Sequence, residues 1–95
     1  MILVTVEAKF SPDDVDEAIS LFNAQADDIR LMDGCGHYAL FRDIGGDGIA
    51  ILQHWAATDA FNAYKTSDVF AKLGQDLRPL MTAFPVTRVA TIDSV

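Results

Sequence analysis

Residues 37–55, HYALFRDIGGDGIAILQHW, decide the fold of this 95-residue chain. Two strand-like runs, roughly His37 to Ile44 and Ile49 to Trp55, flank Gly45-Gly46-Asp47-Gly48. Glycine adopts the backbone angles that tight turns need, so residues 37–56 read as a β-hairpin. The second arm is nearly all apolar, as suits a central strand. Its faces are Ile49, Ile51, Gln53, Trp55 on one side and Ala50, Leu52, His54 on the other.

Toward the N-terminus, residues 2–10 alternate as a strand. Ile2, Val4, Val6, Ala8 and Phe10 form one face, and Leu3, Thr5, Glu7 and Lys9 the more polar other. Ser11-Pro12-Asp13-Asp14 is a helix start, with a capping hydroxyl, a proline suited to the first turn and carboxylates at the positive end of the dipole. Val15, Ala18, Ile19, Phe22, Ala26 and Ile29 then recur at helical spacing through about residue 31, while Asp16, Asn23 and Asp27 face water. Asp33-Gly34-Cys35-Gly36 ends that helix.

Toward the C-terminus, Thr58-Asp59 caps a short helix carrying Phe61 and Tyr64, and Ser67-Asp68 caps a second. Val69, Phe70, Leu73, Leu77 and Leu80 continue an amphipathic pattern that ends near Pro79 and again before Pro85. Val86 to Ile92 is the last strand. The order β-α-β-β-α-β predicts an α+β domain, a four-stranded antiparallel sheet with its helices on one side. No linker or repeat divides the chain, so residues 1–95 are expected to form a single domain.

Composition narrows the partners. The chain is 51% hydrophobic and 22% charged, with 14 acidic against 7 basic residues and a net charge of −7. Such a field repels phosphate backbones and anionic headgroups, so neither nucleic acid nor membrane is an expected partner. The single cysteine, Cys35, has no partner for an internal disulfide, and no metal-type Cys/His spacing is present; neither metal nor cofactor is expected. Ile2 to Val6 lacks a basic flank and Glu7 interrupts it, which predicts a cytoplasmic protein without a leader or span. Helices on one side leave the sheet's other face bare. On the first strand that face is expected to hold Ile2, Val4, Val6, Ala8 and Phe10, with Ala50 and Leu52 beside them. A patch this apolar calls for a second copy of the chain, hence a homodimer.

From Gly34 onward the motifs Gly34-Cys35-Gly36-His37-Tyr38, Phe41-Arg42-Asp43, Trp55-Ala56-Ala57-Thr58-Asp59-Ala60-Phe61, Ser67-Asp68-Val69-Phe70 and Leu77-x-Pro79-Leu80 resemble the antibiotic biosynthesis monooxygenase domain family, in the dimeric α+β barrel superfamily. The resemblance implies a ferredoxin-like βαββαβ protomer and a pocket between helices and sheet near Trp55. It also implies a small cofactor-independent monooxygenase acting on an aromatic substrate of the quinol or polyphenol kind. Two alternatives are a non-catalytic, stress-associated ligand-binding protein and an isomerase of the same superfamily. The chain departs from the anthrone-oxidising pattern: where that pattern has Asn and Tyr around the tryptophan, Ile51 and Phe61 stand here, and Tyr64 occupies a position often held by histidine. Gly74 and Glu7 stand where heme-degrading relatives carry histidine and asparagine, so heme degradation is not expected.

Within that pocket Glu7 is the expected general base, since with Thr5 it lies on the face expected to border the helices, where desolvation raises a carboxylate's pKa. Tyr64 is the expected hydrogen-bond partner of a substrate oxygen and Trp55 a stacking wall. Gln53, Thr5 and Phe61 complete the expected substrate contacts. His54 is expected to point away from Trp55, toward the sheet–sheet seam.

Overall fold

The computed structural model describes residues 1–92; residues 93–95, part of the expected domain 1–95, lie outside the described residues. The chain runs β1 (Ile2–Lys9), α1 (Val15–Arg30), β2 (Cys35–Arg42), β3 (Gly48–Trp55), α2 (Thr58–Lys65), α3 (Asp68–Leu77), a short 3-10 turn (Arg78–Leu80) and β4 (Val86–Thr91). The strands form one antiparallel sheet in the order β2-β3-β1-β4, the ferredoxin-like α+β arrangement. No helix among the described residues is long and apolar enough to cross a membrane.

Helix α1 buries Val15, Ala18, Phe22, Ala26 and Ile29, the stripe that recurs every three or four residues. Its start differs from the expected serine cap: Asp14 is the capping residue, no side chain bonds the free N–H groups, and Ser11 contributes only its carbonyl, to Asp14 N–H. The residues before α2 behave similarly, with Ala57 rather than Thr58 or Asp59 at the cap and no side-chain bond. At α3 the expected cap forms: Ser67 Oγ accepts from Phe70 N–H at 3.2 Å. In the β2–β3 hairpin Gly46 has φ +87°, a left-handed turn position that glycine adopts without strain.

The faces of β1 are the reverse of the expectation. Ile2, Val4, Ala8 and Phe10 are buried in the helix-side core beside Ile49, Ile51 and Trp55, to which register joins them: Ile2 opposes Trp55, Val4 opposes Gln53 and Val6 opposes Ile51. Leu3, Thr5, Glu7 and Lys9 therefore lie on the open face, with His54, Leu52 and Ala50 of β3. The physical reason is the ordinary one. The side of β1 without charge goes under the helices, and the side with Glu7 and Lys9 keeps those charges in water. The open face is thus more mixed than the bare apolar patch expected. It holds Leu3 of β1, Ala50 and Leu52 of β3 and Ala39 and Phe41 of the edge strand β2, together with the Glu7–Arg88 ion pair across β1 and β4 and the tilted His37–His54 pair, ring centres 5.3 Å apart, across β2 and β3.

Strand β4 is the exception to two-sided packing. All six of its residues are exposed. The helical layer stops short of this edge, and the segment from Met81 to Pro85 crosses the gap. It is tied to the end of β1 by the Phe10–Met81 bridge and by Thr82 N–H donating to the Lys9 carbonyl at 3.0 Å.

Gly34 joins α1 to the sheet at φ +83°, and a Cβ built on it would sit 2.5 Å from the Ala60 Cβ of α2. Gly46 shares the left-handed angle but has no atom within 4 Å of the same position. Gly34→Ala should therefore cost about 1–3 kcal/mol in urea unfolding, more than Gly46→Ala, which carries the backbone strain alone. Adding Ala60→Gly to Gly34→Ala should recover only the steric part. Equal costs for the two glycine variants would contradict this packing.

Candidate functional site

A cavity of about 730 Å³ opens where the helical layer ends. Its floor is the helix side of the sheet, with Val6 and Ala8 from β1, Ile51 and Gln53 from β3 and Thr87 from β4. Its walls are Phe61 and Tyr64 of α2, Phe70, Leu73 and Leu77 of α3, and Phe22 of α1. Lys65, Arg78 and the Met81–Pro85 segment form the rim. Concave, largely apolar and lined with a few polar groups, it has the make-up of a small-molecule site.

Helical spacing builds the aromatic wall. Phe61 and Tyr64, three residues apart on α2, fall on the same face, and both reach Trp55 at the end of β3. Trp55 and Tyr64 are stacked, with ring centres 5.2 Å apart and planes 21° apart, and Phe70 meets Tyr64 edge-on at 5.2 Å. Trp55 is 0% exposed and does not border the cavity, which corrects its expected part as a stacking wall. It stands one layer behind. Its Nε1–H donates to Gln53 Oε1 at 2.8 Å, which satisfies the buried indole and fixes the glutamine's orientation. With the oxygen so used, the Gln53 amide nitrogen, which donates to no described residue, is the end left for a ligand.

Of the residues expected at the site, Gln53, Tyr64 and Phe61 line the cavity together. Glu7 and Thr5 do not. Glu7 lies on the opposite side of the sheet, 59% exposed, and accepts a hydrogen bond from Arg88 at 2.7 Å. Its carboxylate meets water and Arg88 rather than the helices, and Thr5 shares its face. Among the described residues no cluster of His, Cys, Asp and Glu is arranged to hold a metal ion.

Tyr38 was missed as a neighbour of the site. It lies on β2 opposite Gln53, almost wholly buried, and its hydroxyl, though near that of Tyr64, makes no hydrogen bond of good geometry among the described residues. Burial first, and the nearby Tyr64 hydroxyl second, push its pKa far above the ordinary phenol value. Burial likewise pushes Tyr64 up to about 12, from the usual 10.0. Tyr64 is therefore a neutral donor at any physiological pH, suited to hydrogen-bonding a substrate oxygen and unsuited to removing a proton. The signal for Tyr38 was its alternation with Leu40 on the helix side of β2, which pairs it with Gln53.

The chain has only these two tyrosines. Absorbance titration of the native protein should show no tyrosinate at pH 10, whereas the denatured chain ionises there. Because the unfolded state loses those protons first, the two phenols' contribution to stability should be whole at neutral pH and be lost progressively as pH rises through 10.0. A native phenol titrating near pH 10 would contradict the burial of this pair.

Comparison with solved structures places this architecture among close structural neighbours. A Mycobacterium tuberculosis protein, Rv0793, superposes with a TM-score of 0.90 at 20% identity, covering 98% of this chain and 96% of the other. A candidate antibiotic biosynthesis monooxygenase from Deinococcus radiodurans gives 0.91 at 18% identity over 100% and 95% of the two chains. One from Caulobacter crescentus gives 0.89 at 26% identity over 99% and 89%. No curated protein matches the sequence. Residues 1–75 match the family described as antibiotic biosynthesis monooxygenase, and the chain belongs to that family.

Proposed function

We propose that the chain binds a small aromatic molecule in the helix-side cavity and acts on it as a cofactor-independent monooxygenase of the quinol or polyphenol type. The observation that carries this reading is the cavity itself: about 730 Å³, walled by Phe61, Tyr64 and Phe70, with Gln53 on its floor. Family membership and the candidate monooxygenases among the structural neighbours support it. With an anthrone-like substrate the ring CH₂ loses both hydrogens and gains one oxygen of O₂; the second oxygen leaves with those hydrogens as water. The electrons come from the substrate. The protein's part is to exclude water, hold the ring against the aromatic wall and donate hydrogen bonds to the oxygen on which anionic charge develops. Glu7 is not proposed as the base, because the sheet separates it from the cavity.

A specific observation favours a second reading, ligand binding without turnover. No carboxylate, imidazole or thiol is among the described residues lining the cavity, so proton removal would fall to solvent or to the substrate's own acidity. An oxygen electrode with a panel of anthrones and quinols separates the two. The first reading predicts uptake of one O₂ per product and a loss of about 10- to 100-fold in turnover for Tyr64→Phe, with the melting temperature little changed. Ligand-induced thermal stabilisation without oxygen uptake would establish the second reading instead, and neither effect would overturn both.

We further infer a homodimer in which a second copy covers the open face. The apolar side chains of Leu3, Ala39, Phe41, Ala50 and Leu52, which share that face, support this. Sedimentation at micromolar concentration should give twice the protomer mass. Leu52→Asp should shift it to the protomer without emptying the helix-side core. A monomeric native protein would contradict the pairing.

A further inference from the structure

The charges around the cavity are distributed unlike those on the rest of the molecule. Of the 7 basic side chains in the sequence, five are engaged by carboxylates: Lys9 with Asp43 and Asp47, Arg30 with Asp27, Arg42 with Asp16, Lys72 with Asp76, and Arg88 with Glu7. The two that form no ion pair among the described residues are Lys65 and Arg78. Both line the cavity. Among the described residues no aspartate or glutamate lines it, although acidic residues outnumber basic ones 14 to 7 in the chain.

The two cations come from different elements and are held near the opening by different contacts. The Lys65 ammonium, in the last turn of α2, lies 4.7 Å from the centre of the Phe61 ring, itself part of the cavity wall. The Arg78 guanidinium, just beyond α3, lies against the bare backbone of Gly74, its Nη2 3.6 Å from where a Cβ would stand. A cation near a helix C-terminus complements the helix dipole, which accounts for each charge separately. It does not account for both lining one apolar cavity whose described lining holds no carboxylate.

We propose that the cavity takes an amphiphilic organic anion, an aromatic body inside and an ionised carboxylate held at the mouth by Lys65 and Arg78. This rests on the cavity being the ligand site, as proposed above, and adds the chemical class of what occupies it. Arg78 offers a planar fork suited to two carboxylate oxygens, and Lys65 a mobile point charge. In a protein of net charge −7 the surrounding field disfavours anions, so this local reversal of sign selects for position: the carboxylate is welcome only at the rim. The ring then points inward, toward Gln53 and Tyr64. Orientation of the reacting carbon follows from a charge placed at the far end of the molecule.

The test compares two probes of one shape, anthraquinone-2-carboxylate and 2-(hydroxymethyl)anthraquinone, titrated into the full chain by isothermal calorimetry. The carboxylate should bind about tenfold tighter or better, as expected of charge-assisted hydrogen bonds. Lys65→Gln and Arg78→Gln should each weaken it about five- to tenfold while leaving the neutral probe unchanged. Equal affinity for the two probes, or variants that weaken both alike, would overturn the anion preference and leave the cavity reading standing. Binding of neither probe would overturn the cavity reading and this inference with it.

Discussion

Trp55 ends the central strand with its indole fully buried, and two contacts fix it there: its N–H donates to Gln53 at 2.8 Å and its ring stacks on Tyr64 at 5.2 Å. The first contact is within the sheet and the second crosses to α2. Together they lock the helical layer to the sheet at one end, and the orientation of the cavity's two inner polar groups is inherited from them. A buried indole without an acceptor costs free energy, so Gln53 is held in its rotamer by the core's own need for a partner. The site is therefore a by-product of how the core is satisfied. Gln53 is buried, polar and facing a cavity for this reason.

A domain of this size has little core to spare, and an opening of about 730 Å³ removes packing contacts that a continuous interior would make. The structure concentrates that loss at one edge. Toward β2 the sheet is covered by α1, whose stripe is buried throughout; toward β4 cover gives out, and the loop from Met81 to Pro85 closes part of the gap. Phe84, on that loop, is 97% exposed. The closely packed side of the domain is thus β2–β3–β1 and the cavity-bearing side β1–β4. The two tyrosines mark the boundary between them, both dry enough to stay protonated.

The fold was readable because each element announced itself locally. The Gly45–Gly48 turn, the spacing of Val15 through Ile29 and the Ser67 cap are short-range signals, and short-range physics answered them. Half of the candidate site followed by the same route, since Phe61 and Tyr64 share a helix face and Gln53 shares a strand face with Trp55. The error lay in the sidedness of β1. Expecting a second copy to cover the more apolar face turned Glu7 and Thr5 inward, against the plain preference of Glu7 and Lys9 for water. Alternation fixes which residues share a face; only packing decides which face the helices take. Lys65 and Arg78 were not singled out, and Tyr38 entered only as part of a motif, with no place at the site. Their importance comes from what they lack, carboxylate partners in two cases and a hydroxyl partner in the third, and such absences exist only in three dimensions.

The most direct measurement is a crystal structure of the protein grown with a hydroxyanthraquinone. Ligand density should lie between α3 and the β1–β3 floor, its ring against Phe61, Tyr64 and Phe70, with an oxygen within hydrogen-bonding distance of Tyr64 Oη or the Gln53 amide nitrogen. Density on the open face beside Glu7 and Arg88, with the helix-side cavity unfilled, would contradict the account at its centre.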